Sequence, residues 1–258
     1  MNLSSNAFFF KFTFTLYVIT RKPQKMNLST YLREQSYDLI DGPIRNHKAL
    51  QLWIKKPSDN ADLYYEHISH AFLSAIPLNE IMSDAMNINF KKKNDYNYNI
   101  GVTVLENILK SLGLGNLEIT TKFSGGKKVS ISYNNAKSVE YAIGEIENYL
   151  SVSDFKYVNP SLLENANKDN ILIISGILLA RNLVVEIETD SDIKDELVSS
   201  LNQTANGKFD FSAYGKTTLK MSSQETGYFP IAVKAYRLIF DKGQFERARL
   251  LTDERNLF

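Results

Sequence analysis

Between residues 171 and 250 the chain carries a succession of apolar runs with the length and spacing of β-strands, and this block constrains the fold more than anything else in the sequence. Residues 171–179 (ILIISGILL) and 183–189 (LVVEIET) flank Ala180-Arg181-Asn182, a pattern that predicts a hairpin. Phe209, Phe211 and Ala213 alternate with polar residues, and so do Leu219 and Met221. Residues 229–240 (FPIAVKAYRLIF) read as one long strand, Asp241-Lys242-Gly243 as a turn, and 245–250 as the returning partner. Strands that follow one another through short turns pair antiparallel, so this half of the chain is not an alternating βαβ unit.

The remainder mixes helices with strands. Residues 27–36 read as a short helix or turn, 49–55 as a strand closed by Lys56-Pro57, and 62–76 as a helix ending before Pro77. The stretch 78–90 is mixed, with period-two spacing at Met86, Ile88 and Phe90. The clearest helix spans 102–112, where Val104, Leu105, Ile108, Leu109 and Leu112 share one face. Thr103 and Glu106 fit a capping box, and Gly113 and Gly115 end the helix. Strands at 117–121 and 129–133 then flank the turn Ser124-Gly125-Gly126. Helices follow at 138–150, with Val139, Ala142, Ile143, Ile146 and Leu150 on one side, and at 193–201. The expected class is α+β, a mainly antiparallel sheet with helices around it.

Composition narrows the function. The 258 residues, 43% hydrophobic and 23% charged, suffice for a substantial core. Thirty basic against 29 acidic side chains leave a formal charge of +1, too little for nucleic-acid binding through a global basic field. Without cysteine there are no disulfides, thiolate metal sites, cysteine nucleophiles or palmitoylation. His67 and His70 stand at i, i+3, but no nearby residues complete a ligand set, so they read as a solvated helix face. The Gly125-Gly126 and Gly113-Leu114-Gly115 pairs match no phosphate loop, and no nucleophile elbow is present. The sequence supports no catalytic residue, cofactor or metal.

The first segment is unusual. Residues 8–19 (FFFKFTFTLYVI) are apolar but fall short of the roughly 20 residues a membrane-spanning helix needs. No basic residue precedes them, as a signal peptide requires. The opening MNLSS returns at Met26 as MNLST, so residues 1–25 are expected to be an upstream extension, 26–250 the folded domain and 251–258 a short tail.

Lys91-Lys92-Lys93, Lys127-Lys128 and the Arg247/Arg249 pair are local basic spots. Near an anionic lipid surface each such charge contributes about 1 kcal/mol. The period-two strands suit a sheet packed on a core, and equally a strand facing lipid on one side and water on the other.

The order of segments resembles the bacterial gasdermins over about residues 30–250. Tyr31-Leu32-Arg33-Glu34-Gln35-Ser36-Tyr37 is similar to the family's opening YLKEQGY, and Ala49-Leu50-Gln51-Leu52 to its PLQLL strand. Pro77-Leu78-Asn79-Glu80-Ile81, with Asp84 and Ala85, resembles its proline-centred turn. Ile100-Gly101-Val102-Thr103-Val104-Leu105 with Leu112-Gly113 is similar to GVGLSIL…MGG. Tyr149-Leu150, Asp154 and Asn159-Pro160 follow a YL…D…NP stretch. Val233-Lys234-Ala235-Tyr236-Arg237-Leu238 and Phe240, before Asp241-Lys242-Gly243, resemble FQAVRLYYDEG.

The resemblance implies a gasdermin N-terminal-domain-like fold, autoinhibited and cytoplasmic. A protease or partner protein would release it. It would then assemble with copies of itself in the inner membrane, on anionic lipids, into a large β-barrel pore that kills the cell in antiphage defence. Lys91, Lys92, Lys93, Lys127 and Lys128 are the candidate lipid-contacting residues. Arg247, Arg249, Leu250, Leu251 and Asp253 are the candidate cleavage residues, with nothing to rank them. The inserting hairpins are expected around 78–104 and within 167–222. Many relatives carry an acylated N-terminal cysteine, which this chain lacks. The alternative is a soluble α+β binding module without membrane activity.

Overall fold

In the computed structural model the structure describes residues 28–40, 47–85, 105–106, 128–157, 159–223 and 227–251. The described chain enters through helix α1 (Leu28–Glu34) and strand β1 (Asp38–Leu39). It continues through β2 (Leu52–Ile54), β3 (Asp62–Tyr65), a 3₁₀ turn (Ile68–His70), β4 (Phe72–Leu73) and β5 (Ile81–Asp84). After β6 (Lys128–Glu140) come α2 (Ile143–Ser151), β7 (Asp154–Phe155) and α3 (Pro160–Asn167). Then β8 (Ile171–Glu188), α4 (Asp195–Ala205), β9 (Phe209–Tyr214), β10 (Thr218–Ser223), β11 (Phe229–Asp241) and β12 (Gln244–Leu250) complete the order. The class is α+β, and every described strand pair is antiparallel.

The spine of the sheet is β8, an 18-residue strand. The hairpin expected at Ala180-Arg181-Asn182 does not form; the chain runs straight through. Asn182 takes a left-handed conformation (φ 50), and Asn135 on β6 does the same (φ 50). Each marks an extra residue in its own strand, and the two cancel, so pairing on either side of the kink returns to one register. Asparagine tolerates this conformation better than most residues. A single left-handed residue bends a strand; reversal needs a closed turn, which Ala180-Arg181 does not supply.

The kink divides β8 into two halves with different neighbours. The inner half pairs with β11 and β2, the outer half with β10, and β6 runs along both. Residues 171–178 are all buried, because two core layers sandwich them. Ile171 and Ile173 pack with Leu52, Ile146, Leu150 and Leu238 on one face. Leu172 and Ile174 pack with Ile40, Trp53, Val233 and Leu251 on the other. A fully buried side chain of this size contributes about 1.5–3 kcal/mol. The outer half alternates, with Leu183, Val185 and Ile187 buried between more exposed neighbours.

Two further expectations are corrected. Residues 62–76 form β3, the 3₁₀ turn and β4 in place of a helix. The ladder from β2 satisfies the backbone of Asp62–Tyr65, which outweighs a marginal short helix. The helix expected from residue 138 begins at Ile143, because Ser138, Val139 and Glu140 still pair with β8. Helices α1 and α4, the hairpin β9–β10 and the pair β11–β12 follow the expected pattern. Lys242 and Gly243 both have positive φ (48 and 81), the requirement of a two-residue hairpin turn. Of the 102–112 helix only Leu105 and Glu106 are described, and both are helical. The period-two stretch 86–90, the strand at 117–121 and the turn at 124–126 lie outside the described residues.

Candidate functional site

Three places in the fold hold the sheet in its present pairing. The first is a polar clasp over Gly176. On β8, Gly176 lies opposite Glu140 of β6 on one side and Lys234 of β11 on the other. With no side chain between them, Lys234 Nζ reaches Glu140 Oε2 at 2.8 Å across the central strand. Tyr37, just past α1, donates its hydroxyl to Glu140 Oε1 at 2.6 Å. The Lys234 ammonium also lies 5.1 Å from the Tyr37 ring centre. A Cβ on Gly176 would meet Glu140 Cγ at 3.0 Å and the Tyr37 hydroxyl at 3.3 Å. Burial pushes the Glu140 carboxyl up, but the hydrogen bonds from Lys234 and Tyr37 and the Lys234 charge outweigh it, and its pKa lies below the ordinary value. Burial first, and then the Glu140 hydrogen bond and charge, hold the Tyr37 hydroxyl well above its ordinary range against a small opposing contribution from Ser138.

The second is the mask on β9. Outer β8, β6, β9 and β10 form a sheet patch whose central rows are sorted by polarity. Phe211, Met221, Val185 and Ile131 line up across four strands on the buried face. Ser212, Lys220, Glu186 and Ser130 line up on the opposite face. Helix α4 covers the apolar face through Leu201 and Ala205. Its Asn202 also binds the edge of β9: Phe211 N–H donates to Asn202 Oδ1 at 2.7 Å, and Asn202 Nδ2 donates to the Phe211 carbonyl at 2.9 Å. Both main-chain groups of a strand residue point to the same side, so the amide stands where a further strand would pair.

The third is the docking of β12 and Leu251. Strand β12 pairs with β11, and Ala248 N–H donates to Glu147 Oε1 of α2 at 2.9 Å. Leu251, the first residue of the expected tail, is 4% exposed in the core layer with Trp53 and Ile40, and its N–H donates to the Ala235 carbonyl at 3.1 Å. Of the candidate cleavage residues, Arg247 and Arg249 are exposed on β12, Leu250 is half-buried and Leu251 is core. Asp253 lies outside the described residues. So do Lys91, Lys92, Lys93 and Lys127; Lys128 opens β6 opposite Glu188.

His67 precedes the 3₁₀ turn and His70 ends it, with ring centres 6.1 Å apart. His67 Nδ1 accepts the Ser69 N–H at 3.1 Å, so this ring caps a turn. Burial first, then the neighbouring His70, lowers the His67 pKa. Among the described residues no group of three or more His, Cys, Asp or Glu is placed to hold a metal ion. No helix among them is long and apolar enough to cross a membrane.

The family described as the Bacterial Gasdermin Family matches residues 40–244, most of the chain. The chain belongs to the bacterial gasdermin family. This is a pore-forming family whose members are not enzymes. The gasdermin fold is matched by the structure of a bacterial gasdermin from Bradyrhizobium tropiciagri, at 14% identity and a TM-score of 0.55, over 85% of this chain and 89% of that one. A second match is the cryo-EM structure of the gasdermin A3 membrane pore, at 10% identity and a TM-score of 0.32, over 88% of this chain and 94% of that one. No curated protein matches this gasdermin. The Gly176 clasp and the Asn202 mask were not among the residues singled out from sequence. A lone glycine in an apolar strand was the available signal for the first, since it marks close approach of neighbours; nothing local to Asn202 announces the second.

Proposed function

We propose that this gasdermin is held inactive in the cytoplasm and is released to assemble with further copies into a β-barrel pore in the bacterial inner membrane, killing the cell in antiphage defence. The observation that carries the reading is the family match over residues 40–244. The outer sheet supports it physically. A strand edge in hydrocarbon leaves backbone groups unpaired at several kcal/mol each, so strands enter a bilayer only in a closed ring. The sorted rows of outer β8, β6, β9 and β10 are the arrangement such a ring uses, one face toward lipid and one toward water. Leaving the soluble fold requires α4 to lift from the apolar face and Asn202 to leave Phe211.

In this reading the inserting segments come from 78–104 and 167–222, with the outer half of β8 and β9–β10 in the second. Release follows a cut at Arg247, Arg249, Leu250, Leu251 or Asp253, or a partner that displaces β12. A cut within β12 must follow its detachment from β11, because proteases take their substrate extended and unpaired. Lys91, Lys92, Lys93, Lys127 and Lys128 meet anionic headgroups. Dye release from anionic liposomes tests the proposal, with the full chain and with chains ending after residues 246, 249 and 251. Leakage from a shortened chain and retention by the full chain support it. Retention in every case supports a soluble binding module.

A further inference from the structure

Tyr133 and Ala136 of β6 are buried in one apolar cluster, and so are Ala180 and Leu183 of β8. Residues three apart on an unbroken strand point to opposite faces. The bulges at the left-handed Asn135 and Asn182, both exposed, return each strand to the same core. At the same place the other edge of β8 changes partner. Its pairing with β11 ends at Phe229 opposite Ala180, and its pairing with β10 starts at Ser222 opposite Val184. Between them the Leu183 N–H donates to a side chain, Ser223 Oγ, at 3.1 Å. Regular ladder pairing is therefore interrupted on both sides of β8 around Arg181–Leu183.

One aromatic ring sits on this line of weakness. Lys137 and Arg181 directly follow Ala136 and Ala180, so both stand on the face opposite the apolar cluster. There the Arg181 guanidinium lies 4.0 Å and the Lys137 ammonium 5.3 Å from the centre of the Tyr228 ring, which immediately precedes β11. Arg181 Nε is buried without a hydrogen-bond partner among the described residues, and a desolvated cation gains most from a ring face. We propose that the paired bulges are a hinge between the inner and outer halves of the sheet, and that Tyr228 is the strap that fixes its angle. Bending at either bulge displaces the cation beside it, so a ring that holds both cations resists motion in both strands. The apolar cluster spans the kink on the other face, so the halves turn about it without parting. The hinge is a property of the folded chain; only its use in release rests on the function proposed above.

The chain has no cysteine, so Lys216→Cys in the β9–β10 turn and Glu246→Cys on β12 supply two spin-label sites at exposed positions, one on each half of the sheet. Pulsed electron resonance on the full chain then reads the distance between the halves. One narrow distribution is expected with Tyr228 in place and with Tyr228→Phe, which keeps the ring face. Tyr228→Leu keeps apolar bulk but no ring, and is expected to broaden the distribution about twofold. Amide exchange is expected to rise about tenfold in outer β6 and outer β8 of Tyr228→Leu and of Arg181→Gln, and to stay unchanged over residues 171–178. The two substitutions together are expected to give less than the product of their separate effects, because they break the same contact. Circular dichroism confirms that the variants fold. An unchanged distribution in Tyr228→Leu overturns the proposal, and so does a rise in exchange that extends equally to residues 171–178. Dye release by the chain ending after residue 249 is expected to be faster with Tyr228→Leu. Leakage from no variant would count against the pore, while the label distances would still decide the hinge.

Discussion

Glu140 sits where two strands and the segment after α1 meet, and the meeting depends on its charge. Its folded pKa lies below the ordinary 4.5, so an unfolded chain takes up this proton first as the pH falls. The clasp therefore contributes its full stability above 4.5 and loses it as the pH drops below that value toward the folded pKa. Tyr37 has the opposite sign. Its pKa is raised above the ordinary 10.0, so its contribution is complete below that value and declines as the pH rises past it. Glu140→Gln is expected to lower stability at neutral pH by about 1–3 kcal/mol, through loss of the charge-assisted bonds, and to flatten the acid limb. Denaturant midpoints across pH check both; an acid limb identical to that of the unaltered protein would remove Glu140 from the account. Gly176→Ala puts a methyl group 3.0 Å from Glu140 Cγ and is expected to cost about 1 kcal/mol or more, read as a lower melting temperature.

Strands β9 and β12 carry the predictions at the next scale. Asn202→Ala removes both bonds to Phe211 and leaves that edge of β9 unmasked. Stability is expected to fall by about 1–3 kcal/mol, and concentration-dependent association to appear by size-exclusion chromatography. Loss of stability without association would make Asn202 a purely structural contact. Leu251→Ala is expected to cost about 2–4 kcal/mol, to speed amide exchange throughout β12 and to speed tryptic cutting at Arg247 and Arg249. Unchanged cutting would mean that β12 is not the gate. These elements also mark what the sequence makes legible. Strands β9 to β12 and helix α4 were readable because each shows one clean period bounded by its own turn chemistry. The run around Ala180-Arg181-Asn182 is ambiguous in the sequence because a left-handed asparagine serves a turn and a bulge equally well, and only pairing to β6 on both sides distinguishes them. Residues 72–73 and 138–140 resemble helix in the sequence because their ladder partners, at 154–155 and 176–178, are distant in sequence. The clasp was illegible for the same reason: Tyr37, Glu140 and Lys234 come together only once β8 lies between β6 and β11.

At the scale of the whole molecule, an almost neutral chain offers no long-range pull toward a membrane, so any attraction must be local. Replacing Lys91, Lys92 and Lys93 together by Glu is expected to weaken association with anionic liposomes and to make what remains less sensitive to salt. Unchanged binding in a flotation assay would assign the contact elsewhere, with Lys127 and Lys128 next to be tried. The fold places its long strands around one spine, sorts the central outer rows into an apolar and a polar face, and restrains them by a clasp, an edge mask and the docking of β12 and Leu251. The central claim is that removing the last restraint lets those strands re-pair between copies within lipid. Electron microscopy of the chain ending after residue 249 on anionic lipid tests it most directly. Arcs and closed rings on the membrane are the predicted result; compact single molecules at every protein density would contradict it.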